Sequence, residues 1–278
     1  MHYSGFYFPT DYGIDPRELA KAMEDRGFES LFFPEHTHIP ASRKSAFPGG
    51  GDLPKRYVHT HDPFVTCTAA AAATTTLKVG TGICLVPQHE PIVTAKAIAS
   101  LDYFSGGRFL FGIGGGWNVE EMNHHGVEYK TRFKQMREHI LAMKALWTEE
   151  EASFDGEFVK LEKTWSYPKP TQTPHPPILL GGETDYTIKR VVDYCDGWYP
   201  RATKGFDPAV AIQRLKTHAD EAGRSMDELT VSVFRAPADA QKLARYHDAG
   251  ITRAIFEVPD APRDEILKQL DDYTKIMA

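Results

Sequence analysis

Residues 102–122 read DYFSGGRFLFGIGGGWNVEEM, and the fold turns on how this stretch is parsed. FLFGIG, at 109–114, is a short apolar run bounded by glycines, the pattern of a strand buried on both faces. VTAKAIASLDYF, at 93–104, precedes it with helical spacing, and Asn118-Val119-Glu120-Glu121 opens a second helix after it. Between strand and helix stand three consecutive glycines, Gly114, Gly115 and Gly116, and then Trp117.

The same unit recurs in both directions. Apolar runs lie at 3–8 (YSGFYF), 30–33 (SLFF), 78–86 (KVGTGICLV), 109–114, 177–182 (PILLGG), 197–200 (GWYP), 229–234 (LTVSVF) and 253–258 (RAIFEV). Amphipathic segments separate them; in DPRELAKAMEDRGF, for example, Leu19, Ala22, Met23 and Phe28 trace one face. Gly27, Gly223 and Gly250 stand where helices should end. Eight such units predict a (β/α)8 TIM barrel formed by residues 1–278 as a single domain, ahead of an open doubly wound sheet, which usually needs fewer units. Two segments interrupt the alternation. Glu35 to His61 is a long Gly-, Pro- and charge-rich loop after the second strand, and Glu149 to Pro177 contains FDGEFVKLEKTW, a small hairpin between units four and five with its turn at Asp155-Gly156.

Composition narrows the partners. A net charge of −6 with dispersed Lys and Arg offers no footprint for nucleic acid. Cys67, Cys84 and Cys195 form no CxxC pattern and suit a reducing compartment. The N-terminus has no leader pattern, and residues 64–87 carry Lys78, six Thr and two Gly, so they read as a buried helix and strand rather than a membrane span. A cytoplasmic protein acting on a small molecule is expected, without membrane or nucleic acid.

At a strand end in a barrel mouth, bare glycine amides and the following helix N-terminus suit a phosphate; close packing or a tight turn accounts for the same glycines. No dinucleotide or nucleotide-triphosphate fingerprint fits, since position 117 is Trp and no Gly-Lys-Ser/Thr follows. Gly181-Gly182 ends the fifth run in the same manner. Pro34-Glu35-His36-Thr37-His38 ends the second run and offers a carboxylate and imidazoles for proton transfer. With His59 and His61 the same letters could bind a metal, but the later strand ends, GGE, YPR and FRA, supply no His or Asp ligands, so no metal is expected.

Residues 77–122, then HGVEYKTRFKQMREHILAMKALW (125–147) and FDGEFVKLEKTWSYPKPTQTPHPPILLGGETDYTIKRVVDYCDGWYP (154–200), resemble the bacterial luciferase-like superfamily, and most closely its branch that uses coenzyme F420, a deazaflavin. The resemblance implies a barrel with an isoalloxazine-like ring in its mouth. It implies that Glu35-His36 face the ring, that a cis peptide at Gly82-Ile83 forms a bulge behind it, and that Gly114–Trp117 and Gly181-Gly182 hold the cofactor's side chain and phosphate. Trp117 replaces a Glu found in sugar-phosphate-oxidising relatives, which implies a more apolar or aromatic substrate. His36 is the expected proton carrier, with Glu35 orienting it or touching the ring. Phe47, Tyr57, His59, Trp165, Trp198 and Tyr199 are the candidates to line the substrate pocket. The expected activity is F420-dependent hydride transfer; the alternatives are an FMN-dependent monooxygenase, a non-catalytic flavin- or deazaflavin-binding protein and, most remotely, a metallohydrolase. Relatives are frequently homodimers, so a dimer is possible here.

Overall fold

Strands form where apolar runs can be buried on both faces: every residue of Ser30–Phe33 and of Phe109–Ile113 is buried. In the computed structural model, which describes residues 1–277, the strands are β1 (His2–Phe6), β2 (Ser30–Phe33), β3 (Lys78–Thr81), β4 (Phe109–Ile113), β5 (Ala152–Asp155), β6 (Lys160–Thr164), β7 (Ile178–Gly181), β8 (Gly197–Tyr199), β9 (Thr230–Phe234) and β10 (Arg253–Glu257). All except β5 and β6 close into one parallel barrel, in the order β1, β10, β9, β8, β7, β4, β3, β2 and back to β1. β5 and β6 pair antiparallel as the small hairpin, which lies outside the barrel sheet.

The helices are α1 (Pro16–Glu24), α2 (Arg56–His59), α3 (Pro63–Ala72), α4 (Pro91–Ser105), α5 (Val119–His124), α6 (Arg132–Thr148), α7 (Asp185–Tyr194), α8 (Pro208–Glu221), α9 (Ala240–Asp248) and α10 (Arg263–Met277). An acid followed by Pro starts four of them: Asp15-Pro16, Asp62-Pro63, Glu90-Pro91 and Asp207-Pro208, each acid accepting a first-turn amide. The carboxylate satisfies an orphan donor, and Pro gives up an amide that the helix would not have used. No helix among the described residues is long and apolar enough to cross a membrane.

Two apolar layers result. The larger lies between the strands and the helices, and the smaller fills the barrel with Phe6, Phe8, Phe32, Leu110, Leu179, Tyr199 and Ile255. The barrel floor is sealed by Arg253, which donates to both oxygens of Glu29 (2.7 and 2.8 Å) and to Ser232. The loop after β2 runs to His61 with only the short α2 inside it, as its length implied. The third run is the one that differs: β3 stops at Thr81, the Gly82–Ile83 peptide is cis, and the chain rejoins the sheet at Cys84, whose amide donates to Gly112 O (2.8 Å). Residues 82–83 therefore bulge into the barrel mouth.

Candidate functional site

The C-terminal ends of the barrel strands enclose a cavity of about 580 Å³. One side is lined by the Gly82–Ile83 bulge, by Gly114–Trp117 after β4 and by Gly181–Thr184 after β7; the other by Phe6, Phe8, Tyr57, Tyr199 and Phe234. His36, at the exit of β2, belongs to its wall.

His36 is buried, and its Nδ1 lies 2.9 and 3.1 Å from the two carboxylate oxygens of Glu121, which is fully buried. A carboxylate on Nδ1 fixes the imidazole as the Nδ1–H tautomer and leaves Nε2 as the proton-accepting atom. Nε2 has no hydrogen-bond partner among the described residues. Glu121 is delivered by helix capping. Asn118 caps α5 by accepting the Glu121 amide (3.1 Å), and the Glu121 side chain, which in a capping box would turn back on the cap, reaches across to His36 instead.

Glu35 does not orient His36, contrary to the sequence reading. Its Oε2 accepts the Leu85 amide (2.5 Å) and its Oε1 lies 2.6 Å from His89 Nε2. Adjacent side chains on an extended segment point opposite ways, so Glu35 faces the segment that follows the bulge while His36 faces α5. Burial opposes its ionisation, but the hydrogen bond and charge of His89 and the Leu85 amide outweigh burial and hold the carboxyl below its usual range. His89 is the mirror case: burial lowers it, and Glu35 more than compensates, so it titrates above the usual imidazole value. Glu35, Cys84 and His89 are also the one group of three or more His, Cys, Asp or Glu among the described residues whose ligand atoms lie within 4.8 Å of one another. Both carboxylate oxygens there are already engaged, and burial, with Glu35 beside it, pushes the Cys84 thiol far up. The two HxH pairs disperse: His38 stacks on His124 (5.1 Å between centroids), and His59 pairs with Asp11 (2.8 Å).

The glycines divide their labour. The Gly114 amide is not bare; it donates to Cys84 O (2.9 Å), and a Cβ there would overlap the Ile83 side chain, so Gly114 makes room for the bulge. The Gly115 and Gly116 amides have no acceptor among the described residues, and Gly116 sits at φ +75°, where glycine is unstrained. A Cβ on Gly115 would stand 2.7 Å from the ring of Phe133. That ring lies beneath two guanidiniums, Arg132 at 4.3 Å and Arg190 at 4.1 Å, neither of which has a carboxylate partner among the described residues. Arg132 Nε is buried without an acceptor. Free amides, two unneutralised arginines and the capped start of α7 thus share one end of the cavity. Gly182 lies beside that start, and its carbonyl accepts Trp198 Nε1 (2.6 Å).

Of the aromatic candidates, Phe47, Tyr57 and Tyr199 line the cavity. His59, Trp165 and Trp198 do not: His59 is drawn to Asp11, Trp165 projects from β6's end into solvent at 71% exposure, and Trp198 alternates away from Tyr199 into the strand–helix layer. Trp117 stands edge-on to His36 (5.8 Å) and Phe47 (6.1 Å). Tyr199 Oη is buried with no partner, and burial raises its pKa far above the usual phenol value, so it remains a neutral donor.

The family model described as luciferase-like monooxygenase matches residues 14–274. The chain belongs to that family. An uncharacterized Mycobacterium tuberculosis protein is 40% identical over 271 residues, 95% of this chain and 94% of its own length. The FMNH2-dependent dimethylsulfone monooxygenase of Pseudomonas putida is 28% identical, covering 85% of this chain and 62% of that protein. The F420-dependent glucose-6-phosphate dehydrogenase of Nakamurella multipartita is 26% identical, covering 87% and 69%. The coenzyme F420-dependent tetrahydromethanopterin reductase of Methanopyrus kandleri superposes with a TM-score of 0.74 at 18% identity, over 98% of this chain and 97% of that one.

Within this luciferase-like chain, the residues that sequence reasoning missed are Glu121, His89, Arg132 and Arg190. Glu121 had a signal, the Asn-x-x-Glu spacing at 118–121, which was read only as a helix start. The other three had none: Arg132 and Arg190 look like surface residues of amphipathic helices, and His89 lies in the short connection before α4 with nothing local to mark it.

Proposed function

We propose that this luciferase-like protein is a cytoplasmic oxidoreductase that uses coenzyme F420 and transfers a hydride between the deazaflavin C5 and a small apolar or aromatic organic molecule. The observation that carries the reading is the buried Glu121–His36 pair: the imidazole lines the cavity, Glu121 engages Nδ1, and Nε2 has no partner among the described residues. A hydride transfer to or from a carbonyl or alcohol must be matched by one proton, and an imidazole with one nitrogen fixed and one free moves that proton near neutral pH.

The residues fit a ring with an anionic tail on features of the chain itself: orphaned Tyr199 Oη and Arg132 Nε, and a cradle at Gly115 and Gly116 that side chains would fill. Gly82 and Ile83 would back the ring. Gly115, Gly116, Gly182, Arg132 and Arg190 would hold the tail. When bound, the deazaflavin supplies a two-electron hydride carrier. His36 Nε2 takes a substrate hydroxyl proton in the oxidising direction and returns it in the reducing one. Glu121 holds the tautomer that allows this, and Trp117, Phe47 and Tyr57 exclude water from the reacting atoms.

Relatives named for F420 and for FMNH2 stand at similar identity, 26% and 28%. An FMN-dependent monooxygenase is therefore the second reading. Titrating the protein with F420 and with FMN while following quenching of cofactor fluorescence separates them. Saturable quenching of F420, with FMN bound about tenfold more weakly or worse, is the expected result. Binding of FMN alone, with dioxygen consumed once the flavin is reduced, replaces this reading by the second. Binding of F420 without turnover over a broad panel of alcohols and carbonyls leaves a binding protein.

A further inference from the structure

The rim of the cavity carries charge that the proton-transfer pair does not use: Glu183, Arg201, Arg235 and Glu257 line it, and Arg56 pairs with Glu257. Arg235, at the exit of β9, donates through Nε (2.7 Å) and Nη2 (3.2 Å) to Glu257 at the end of β10. Arg56 of α2 donates from its Nη2 to the same carboxylate (2.8 Å), lies over the Phe8 ring at 4.6 Å, and keeps a buried Nε with no acceptor. Arg201 pairs with Glu183 through Nε (2.7 Å) and Nη2 (3.0 Å). Three guanidiniums thus face two carboxylates, an excess of one positive charge, and all three act on the same phenol, Tyr57. Arg235 Nη1 and Arg201 Nη1 have no partner among the described residues, although a guanidinium offers five donors.

Arg235 also holds φ +57°, a left-handed backbone that costs a residue other than glycine about 1 kcal/mol or more. The guanidinium held in this conformation pairs with Glu257 and belongs to the lining of the cavity. Tyr57 joins this corner to the reacting one: its ring is 4.7 Å from Phe8 and 5.4 Å from His36.

We propose that the site selects a planar, aromatic or similarly apolar substrate that carries a carboxylate, held by Arg235 with Arg56 and Arg201 behind Tyr57, while its reactive carbon lies toward His36. The inference rests on the cofactor reading above for the reaction but not for the binding. Glu257 already shows that the Arg56–Arg235 fork accepts a carboxylate bidentately, and a surplus of one charge matches a monoanion rather than a phosphate dianion.

Binding of three probes to the full-length protein, benzoate, its neutral isostere benzamide, and phenyl phosphate, tests this by calorimetry with and without F420. Benzoate is expected to bind about tenfold or more tightly than benzamide, and more tightly than phenyl phosphate. Arg235→Gly should abolish that preference without lowering Tm, because glycine relieves the backbone, and Arg56→Met should reduce it. Glu257→Gln, which removes the internal competitor, should tighten benzoate binding. Equal binding of benzoate and benzamide overturns the proposal, as does tighter phenyl phosphate binding. So does a benzoate preference that survives Arg235→Gly while Tm falls, the signature of a purely structural clamp. F420 fluorescence is read in parallel: benzoate preference without F420 quenching upholds this inference and sinks the cofactor reading, and the reverse pattern sinks this inference alone.

Discussion

The two halves of the barrel mouth recognise by different means. On the β3, β4 and β7 side, the surface next to the strands is main chain, the 82–83 bulge, the amides of Gly115 and Gly116, and glycines that keep side chains out, with Arg132 and Arg190 adding charge at its edge. On the β1, β9 and β10 side, the surface is side chain throughout, with Phe6 against Phe234 at 4.4 Å and Phe8 against Tyr57 at 4.7 Å, rimmed by Arg–Glu pairs. Main-chain recognition suits a ligand that never changes, because it survives substitution of most neighbours. Side-chain recognition suits a ligand that differs between relatives, because single exchanges retune it. A constant cofactor and a variable substrate are what such a division would serve, with His36 at the seam.

The largest effect should come at the seam itself. His36→Ala is expected to lower kcat by about 10²- to 10⁴-fold while F420 affinity, read by fluorescence quenching, stays within about twofold. Normal turnover by that variant would remove the proton role. Glu121→Gln should lower kcat more mildly, because an amide oxygen can still accept the Nδ1–H but holds that tautomer less firmly than a carboxylate.

Next comes the pinning of the bulge. His89→Asn leaves the buried Glu35 carboxylate without its cationic partner, for a loss of about 3 kcal/mol in urea unfolding. The pH dependence has a definite sign. The His89 pKa is raised in the folded protein, so its contribution is complete below the unfolded value of about 6.5 and is lost as pH rises through the higher folded value. Glu35 is depressed, so its contribution is present above about 4.3 and is lost as pH falls toward the folded value. The wild-type advantage over His89→Asn should therefore shrink on the alkaline side, and an advantage that stays flat from about pH 6 to about pH 9 would break the pairing.

This unevenness also sets what a reader of the sequence could see. The eight barrel strands, the hairpin and the helices between them were legible because each is written locally, in an apolar run, an amphipathic segment or a terminal glycine. Gly115, Gly116 and His36, which line the cavity, were legible as candidates because main-chain cradles and strand-end histidines leave contiguous letters. What was not legible depends on closure of the barrel: Glu121 meets His36 across 85 positions, and Glu35 meets His89 across 54. Gly114 misled for a related reason. Its neighbour in space is Ile83, and only the bulge, which shortens the third strand run to Lys78–Thr81, makes that glycine a matter of packing.

Two smaller predictions sharpen the main-chain half. Gly115→Ala puts a methyl against the Phe133 ring, which must tilt and carry Arg132 and Arg190 with it. Cofactor affinity should drop about tenfold and stability by about 1 kcal/mol or less, since a ring edge gives way more easily than backbone. Arg190→Met keeps an apolar cover on Phe133 but removes one of two unpaired positive charges, so affinity should fall only severalfold, and less at high salt, where a half-exposed charge is screened. Benzoate binding should be unchanged in both variants, because Arg235 and Arg56 are anchored on Glu257 at the end of β10, away from Phe133. If Arg190→Met instead weakened benzoate and left F420 untouched, the two halves would have been assigned the wrong way round.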